Sequence, residues 1–177
     1  KNNLTYLYNS MYGKGYWFEG MNYAYGEHIV YTDGQPLLSV LLAWMGNVTA
    51  GTALTVCWTL LGLSYVLAMA YLYKILLHFR VAPLPAILYA CLIGILTPQI
   101  ICIRGHYSLS YTCIIPMLFY WNILYDATGK LKYCLWIFLM GVAAAFLHPY
   151  YAGMMLIWAA CYTLGYIIFR KEREGSQ

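Results

Sequence analysis

The chain has 177 residues, 63% of them hydrophobic, 18% aromatic and 9% charged, with a mean hydropathy of +0.62. Soluble domains carry about 25% charged residues, so this composition excludes one. A formal net charge of only +4 spread through apolar sequence also excludes nucleic acid as a partner. What remains is an all-α, polytopic membrane protein whose first partner is the lipid bilayer.

Residues 1–35 are polar and aromatic, punctuated by Gly13, Gly15, Gly20, Gly26 and Gly34, and are predicted to form a loop with at most short helical pieces. The apolar stretch Pro36–Met45 is too short for the roughly 17 to 25 residues of a helical crossing. Residues 36–46 therefore read as an interfacial or re-entrant helix, with Pro36 in its first turn. A five-helix bundle is predicted over residues 53–169, with crossings at Ala53–Leu77, Pro83–Ile103, Leu109–Tyr125, Leu131–Leu147 and Gly153–Phe169. Residues 170–177 read as a basic tail.

This arrangement puts Lys74, Arg80, Lys130, Lys132, Arg170, Lys171 and Arg173 on one side and Lys1, Lys14 and Arg104 on the other. The side richer in basic residues is the cytoplasmic one. Glu19, Glu27, Asp33, Arg104, His106 and His148 then share the outer face, in three polar clusters around residues 23–36, 104–107 and 148–151. With no basic, apolar leader and no initiating Met, the chain reads as part of a longer polypeptide. Cys57, Cys91, Cys102, Cys113, Cys134 and Cys161 all lie in apolar stretches with no Cys-x-x-Cys pair, so they read as small buried hydrophobes, and no metal site is assigned to them.

The three clusters carry the candidate chemistry. Asp33 is a carboxylate with a reference pKa near 3.9 and is suited to act as a general base. Glu27 is placed to assist it, or to share a magnesium or manganese ion, since hard cations prefer carboxylate oxygens. The plainer reading makes Asp33-Gly34 a turn ahead of the Pro36 helix. Arg104 suits bidentate binding of phosphate oxygens; alternatively it snorkels to lipid phosphates. His106 and His148 suit donation to a phosphate or proton carriage. Tyr150 and Tyr151 suit stacking on a sugar ring or lipid headgroup, although an interfacial aromatic belt predicts the same residues.

The run Tyr25-Gly26-Glu27-His28-Ile29-Val30-Tyr31-Thr32-Asp33-Gly34-Gln35-Pro36, followed by Gly105-His106-Tyr107-Ser108-Leu109 and His148-Pro149-Tyr150-Tyr151, resembles the GT-C class of multi-spanning membrane glycosyltransferases, in the form of a bacterial fragment lacking the first span. The resemblance implies sugar transfer from a polyprenyl-phosphate donor to an outer-face acceptor. It also implies Asp33 and Glu27 as catalytic residues, Arg104, His106 and His148 at the donor phosphate, and Gln35, Tyr107, Tyr150 and Tyr151 in contact with substrate. A bacterial inner-membrane location follows, with residues 1–35 periplasmic and the C-terminus cytoplasmic. The alternatives are a transporter or flippase subunit and a non-catalytic membrane scaffold. Conduction usually leaves ionisable groups within the spans, and the predicted crossings hold essentially none.

Overall fold

The computed structural model describes residues 17–18, 24–28, 35–44, 49–104 and 106–175. Asp33 therefore lies outside the described residues, as do Glu19, Gly105 and the tip of the first polar cluster. The side chains of Glu27, His28 and residues 169–175 are likewise not described.

The first element is a short antiparallel pair, β1 (Trp17–Phe18) with β2 (Glu27–His28), in the register Trp17↔His28 and Phe18↔Glu27. It departs from the expectation of a loop with at most helical pieces. Its tightness depends on Gly26, whose φ of +67° suits glycine and whose missing side chain leaves room for the Trp17 indole. Helix α1 (Pro36–Trp44) lies within the predicted 36–46 segment. Leu38 and Leu42, four residues apart and so on one helix face, are buried against Ala53 and Cys57, while Leu41 and Trp44 are exposed. One face seats α1 on the bundle and leaves the other apolar and open.

Helix α2 (Ala50–His78) has 29 residues, a length of about 43 Å. Thr49 caps it, its hydroxyl accepting from Thr52 N–H. Ala53, Cys57, Leu61, Ser64 and Ala68 form its buried stripe. After a turn through Arg80, α3 (Pro83–Leu96) returns along it, burying Ala86, Ala90 and Gly94 at i, i+4 and i+8. A side chain at Gly94 would meet Met69 of α2 at 2.8 Å, so the small residues set how closely the two helices approach.

The predicted second crossing, 83–103, is not continuous. Thr97 is extended (φ −62°, ψ 132°), the conformation that a following proline imposes. The helix restarts after Pro98 as the single turn α4 (Gln99–Cys102). The chain continues through a 3₁₀ turn (Tyr107–Ser110) before α5 (Ile114–Thr128). The third predicted crossing, 109–125, therefore starts five residues late as α-helix. Helix α5 ends at Gly129 in the left-handed conformation (φ 65°), whose N–H donates to Tyr125 O at 2.7 Å. Helix α6 (Leu131–Leu147) has the predicted bounds. It stops where Pro149 forces His148 into an extended conformation. Pro149 then opens α7 (Pro149–Gly175), longer than the predicted 153–169.

Packing joins α2 to α3 and α5, α5 to α6, α6 to α7, and α1 to α6. Among the described residues, three helical stretches are long and apolar enough to cross a membrane: Gly51–His78, Pro83–Cys102 and Pro149–Ile168. The second of these carries the Thr97-Pro98 interruption. At 15 and 17 residues, α5 and α6 measure about 22 and 26 Å, short of a hydrocarbon core of about 30 Å. Of the six cysteines, all free, Cys57 is buried as expected, Cys161 is exposed, and the other four are intermediate.

Candidate functional site

The candidate site is built around the irregular segment 97–113, in which the single turn α4 and the 3₁₀ turn replace continuous helix. Ser64, at the midpoint of α2, accepts a hydrogen bond at 3.1 Å from the Cys113 N–H, so α5 begins about halfway along α2. The preceding residues lie against the first half of that helix, where the Tyr107 ring meets Trp58 edge-on at 6.0 Å. Irregular backbone inside an apolar bundle has to find partners for its N–H and C=O groups. Here side chains from distant elements supply many of them. Gln99 Nε2 donates to Leu109 O at 3.3 Å, and Tyr151 Oη donates to Tyr111 O at 3.3 Å. His106 O accepts from Leu109 N–H and from Ser110 Oγ.

A continuous path runs through these bonds. Gln99 Nε2 donates to Tyr151 Oη at 3.4 Å, Tyr151 donates to the Tyr111 carbonyl, and Tyr111 Oη donates to Gln35 Oε1 at 2.9 Å. Gln35, Tyr111 and Tyr151 are all buried, as are Ser108, Ser110 and Thr112 beside them. The path thus ties Gln35 of the first polar cluster to Tyr151 of the third, through Tyr111, while Gln99 and Tyr111 stand on either side of the 104–107 cluster. Gln35 occupies a left-handed conformation, φ +44°, which costs a side-chain-bearing residue about 1–2 kcal/mol. Its burial and its bond to Tyr111 hold it there.

The predicted site residues divide into three groups. Arg104 and His106 are exposed on the turn between α4 and the 3₁₀ segment, where a charged ligand can reach both. His148 is half-buried, and its Nδ1 accepts from Tyr150 N–H at 3.2 Å, which places the hydrogen of the neutral ring on Nε2. Its ring lies 4.7 Å from that of Tyr150, whose own surface is 66% exposed. Gln35 and Tyr151 form the second group. Both were expected to contact substrate, but Gln35 is 3% and Tyr151 1% exposed, and their polar groups are bonded within the protein. They shape the site rather than face it. Tyr107 joins them in part, half-buried on Trp58. Glu27 and Asp33 form the third group: β2 carries the backbone of Glu27, and both carboxylates lie outside what is described.

Among the described residues, no three of His, Cys, Asp or Glu gather in a way that would hold a metal ion. Sequence reasoning missed Ser64, Gln99, Tyr111 and the buried run Ser108–Thr112. The available signal was polar side chains set within apolar stretches, Gln99 directly after Pro98 and then Ser-Leu-Ser-Tyr-Thr. Thr112 Oγ1 is buried and finds no hydrogen-bond partner among the described residues.

A family model described as a domain of unknown function (DUF6311) matches residues 10–177. No curated protein matches the chain, and no solved structure does.

Proposed function

The chain belongs to the DUF6311 family, and from that premise we propose that it is an integral membrane, GT-C-like glycosyltransferase that moves a sugar from a polyprenyl-phosphate donor to an acceptor on the outer face. The family description carries no activity, so the reading rests on this chain's own residues. One observation carries it: the hydrogen-bonded residues Gln99, Tyr151, Tyr111 and Gln35 join the first polar cluster to the third, with Gln99 and Tyr111 standing on either side of the second. A path of that kind supports a built site over three unrelated helix caps.

The proposed topology has five crossings. The segment 107–113, a 3₁₀ turn followed by irregular backbone, extends the short α5; such backbone is tolerated at membrane depth where protein buries it. Lys74, Arg80, Lys130 and Lys132 belong to the opposite end from Arg104, which favours a cytoplasmic position for them. Residues 1–35 then face the periplasm of a bacterial inner membrane. In the reaction, an acceptor hydroxyl oxygen bonds to the anomeric carbon of the sugar as the bond from that carbon to the phosphate oxygen breaks. Asp33, assisted by Glu27, takes the hydroxyl proton. Arg104 and His106, with His148 beside them, offset the charge that collects on the departing polyprenyl phosphate. Tyr150 offers an exposed ring to the sugar.

The test uses the full-length protein in detergent with a polyprenyl-phosphate-linked sugar. The donor is expected to raise the thermal midpoint of the wild type, Arg104→Ala to lose that rise, and Asp33→Asn to abolish transfer while expressing normally. A wild type that the donor does not stabilise overturns the proposal and favours a transporter, flippase or scaffold subunit.

A further inference from the structure

We propose that the outward face of α3, with Arg80 at its head, binds one anionic phospholipid. The inference rests on the chain spanning a bilayer and is independent of the glycosyltransferase reading. Leu84, Pro85, Leu88, Tyr89 and Leu92 line a groove of about 350 Å³, which follows α3 for about 12 Å. Leu84, Leu88 and Leu92 stand two residues, about 200° of helix, from the buried Ala86, Ala90 and Gly94, so the groove points away from α2. Its lining is apolar apart from one tyrosine, and Leu84, Leu88 and Leu92 are 70%, 62% and 52% exposed. On a spanning helix such a surface meets acyl chains.

The residue at the head of the groove selects the class of lipid. Helix α2 closes in a Schellman arrangement, with Val81 N–H donating to Leu76 O at 3.1 Å and Arg80 N–H to Leu77 O at 2.9 Å. Residue 80 takes φ +62°, the left-handed conformation in which helices commonly end on glycine. At the end of α5 the same place is held by Gly129, at φ +65°. The backbone at residue 80 thus disfavours a side chain, yet the sequence keeps a long cationic one there, which points to a role for the guanidinium. Arg80 is exposed and stands three residues ahead of Pro83, at the end of α3 where the groove starts. Pro83 and Pro85 remove two amide donors from the first turn of α3, so an anion there depends on the guanidinium, whose fork matches phosphate oxygens. The one carboxylate among the described side chains, Asp126, is engaged by Tyr162, and Lys74 sits over the Tyr71 and Tyr120 rings. Arg80 is therefore the cation left to meet a headgroup at this end of the groove.

The experiment titrates the full-length protein, stripped of lipid in detergent, with phosphatidylglycerol or with phosphatidylcholine of the same acyl chains, and follows the thermal midpoint against lipid concentration. The wild type is expected to bind phosphatidylglycerol about five- to tenfold more tightly. Arg80→Gly is expected to bind the two lipids alike. Its lipid-free midpoint is expected to equal or exceed that of the wild type, because glycine suits the left-handed turn. Lys74→Met keeps the preference. Leu88→Trp, which fills the groove from an exposed position, weakens binding of both lipids and leaves the lipid-free midpoint in place.

No preference in the wild type, a preference that survives Arg80→Gly, or one that is lost in Lys74→Met overturns the proposal, as does phosphatidylglycerol binding untouched by Leu88→Trp. A lower lipid-free midpoint in Arg80→Gly overturns it too, since the arginine would then serve the carbonyl end of α2. So does a lipid-stripped dimer that Leu88→Trp converts to monomer, which would give the groove to a second copy of the chain.

Discussion

Along the second half of α2 the bundle is joined by rings. Tyr71 meets Tyr120 and Trp121 of α5 edge-on, Trp121 lies 6.0 Å from Trp136 of α6, and Lys74 Nζ sits over both Tyr71 and Tyr120. Along the first half, where 97–113 replaces regular helix, one ring pair, Trp58 with Tyr107, stands beside side-chain hydrogen bonds to the backbone, Ser64 accepting from the Cys113 N–H and Gln99 and Tyr151 donating to carbonyls. The difference follows from the backbone. A continuous helix satisfies its own amides and asks neighbours only for packing, whereas an interrupted chain needs donors and acceptors at particular points. Rings tolerate substitution because dispersion is spread over many atoms. A donor serving one carbonyl is not replaceable in that way.

That contrast fixes an order of sensitivity. Tyr151→Ala should be the most damaging change, since it empties an aromatic site in the core and strips the Tyr111 carbonyl of its donor. A loss of about 3–5 kcal/mol is expected, read as the unfolding free energy in detergent. Ser64→Ala comes next, at about 1–3 kcal/mol, because it takes the acceptor from the part-buried Cys113 amide; urea titration of the two proteins side by side checks it. At the other end, Lys74→Met keeps the stem over Tyr71 and Tyr120 and loses only the charge, for about 0.5–1 kcal/mol. Tyr162→Phe should be milder still. It removes the bond that Tyr162 donates to the exposed Asp126, and a shift in thermal midpoint close to measurement error is expected. If Lys74→Met proves as costly as Ser64→Ala, the two ends are held alike and the distinction drawn from the backbone fails.

The parts of this fold legible in the sequence are those governed by composition and proline. The limits of α6 fall between Lys130 and Pro149, and α1 starts at Pro36, because proline and the residue before it restrict the chain locally. The second and third crossings were harder to place. Ile100, Ile101 and Ile103 are as apolar as any span, and hydropathy does not distinguish a helix from an interrupted segment whose backbone is satisfied from elsewhere. Pro98 was the one visible warning. For the site, residue types were legible and partners were not. Tyr151 and Gln35 read as substrate contacts because each belongs to a polar cluster in the sequence. Their bonds to residues 40 and 76 positions away decide that they are interior.

The interruption at Thr97-Pro98 also bears on how the molecule is made. α2 and α3 pack as soon as their turn closes, and α5 finds Ser64 already in place. The segment between them nevertheless awaits Tyr151, which emerges from the ribosome 52 residues after Gln99. Until then the Tyr111 carbonyl lacks the hydroxyl that Tyr151 donates to it, and the Gln99 amide has only the Leu109 carbonyl. The polar end is therefore expected to be completed only when the start of α7 arrives, whereas the ring contacts between α2, α5 and α6 need no residue beyond α6.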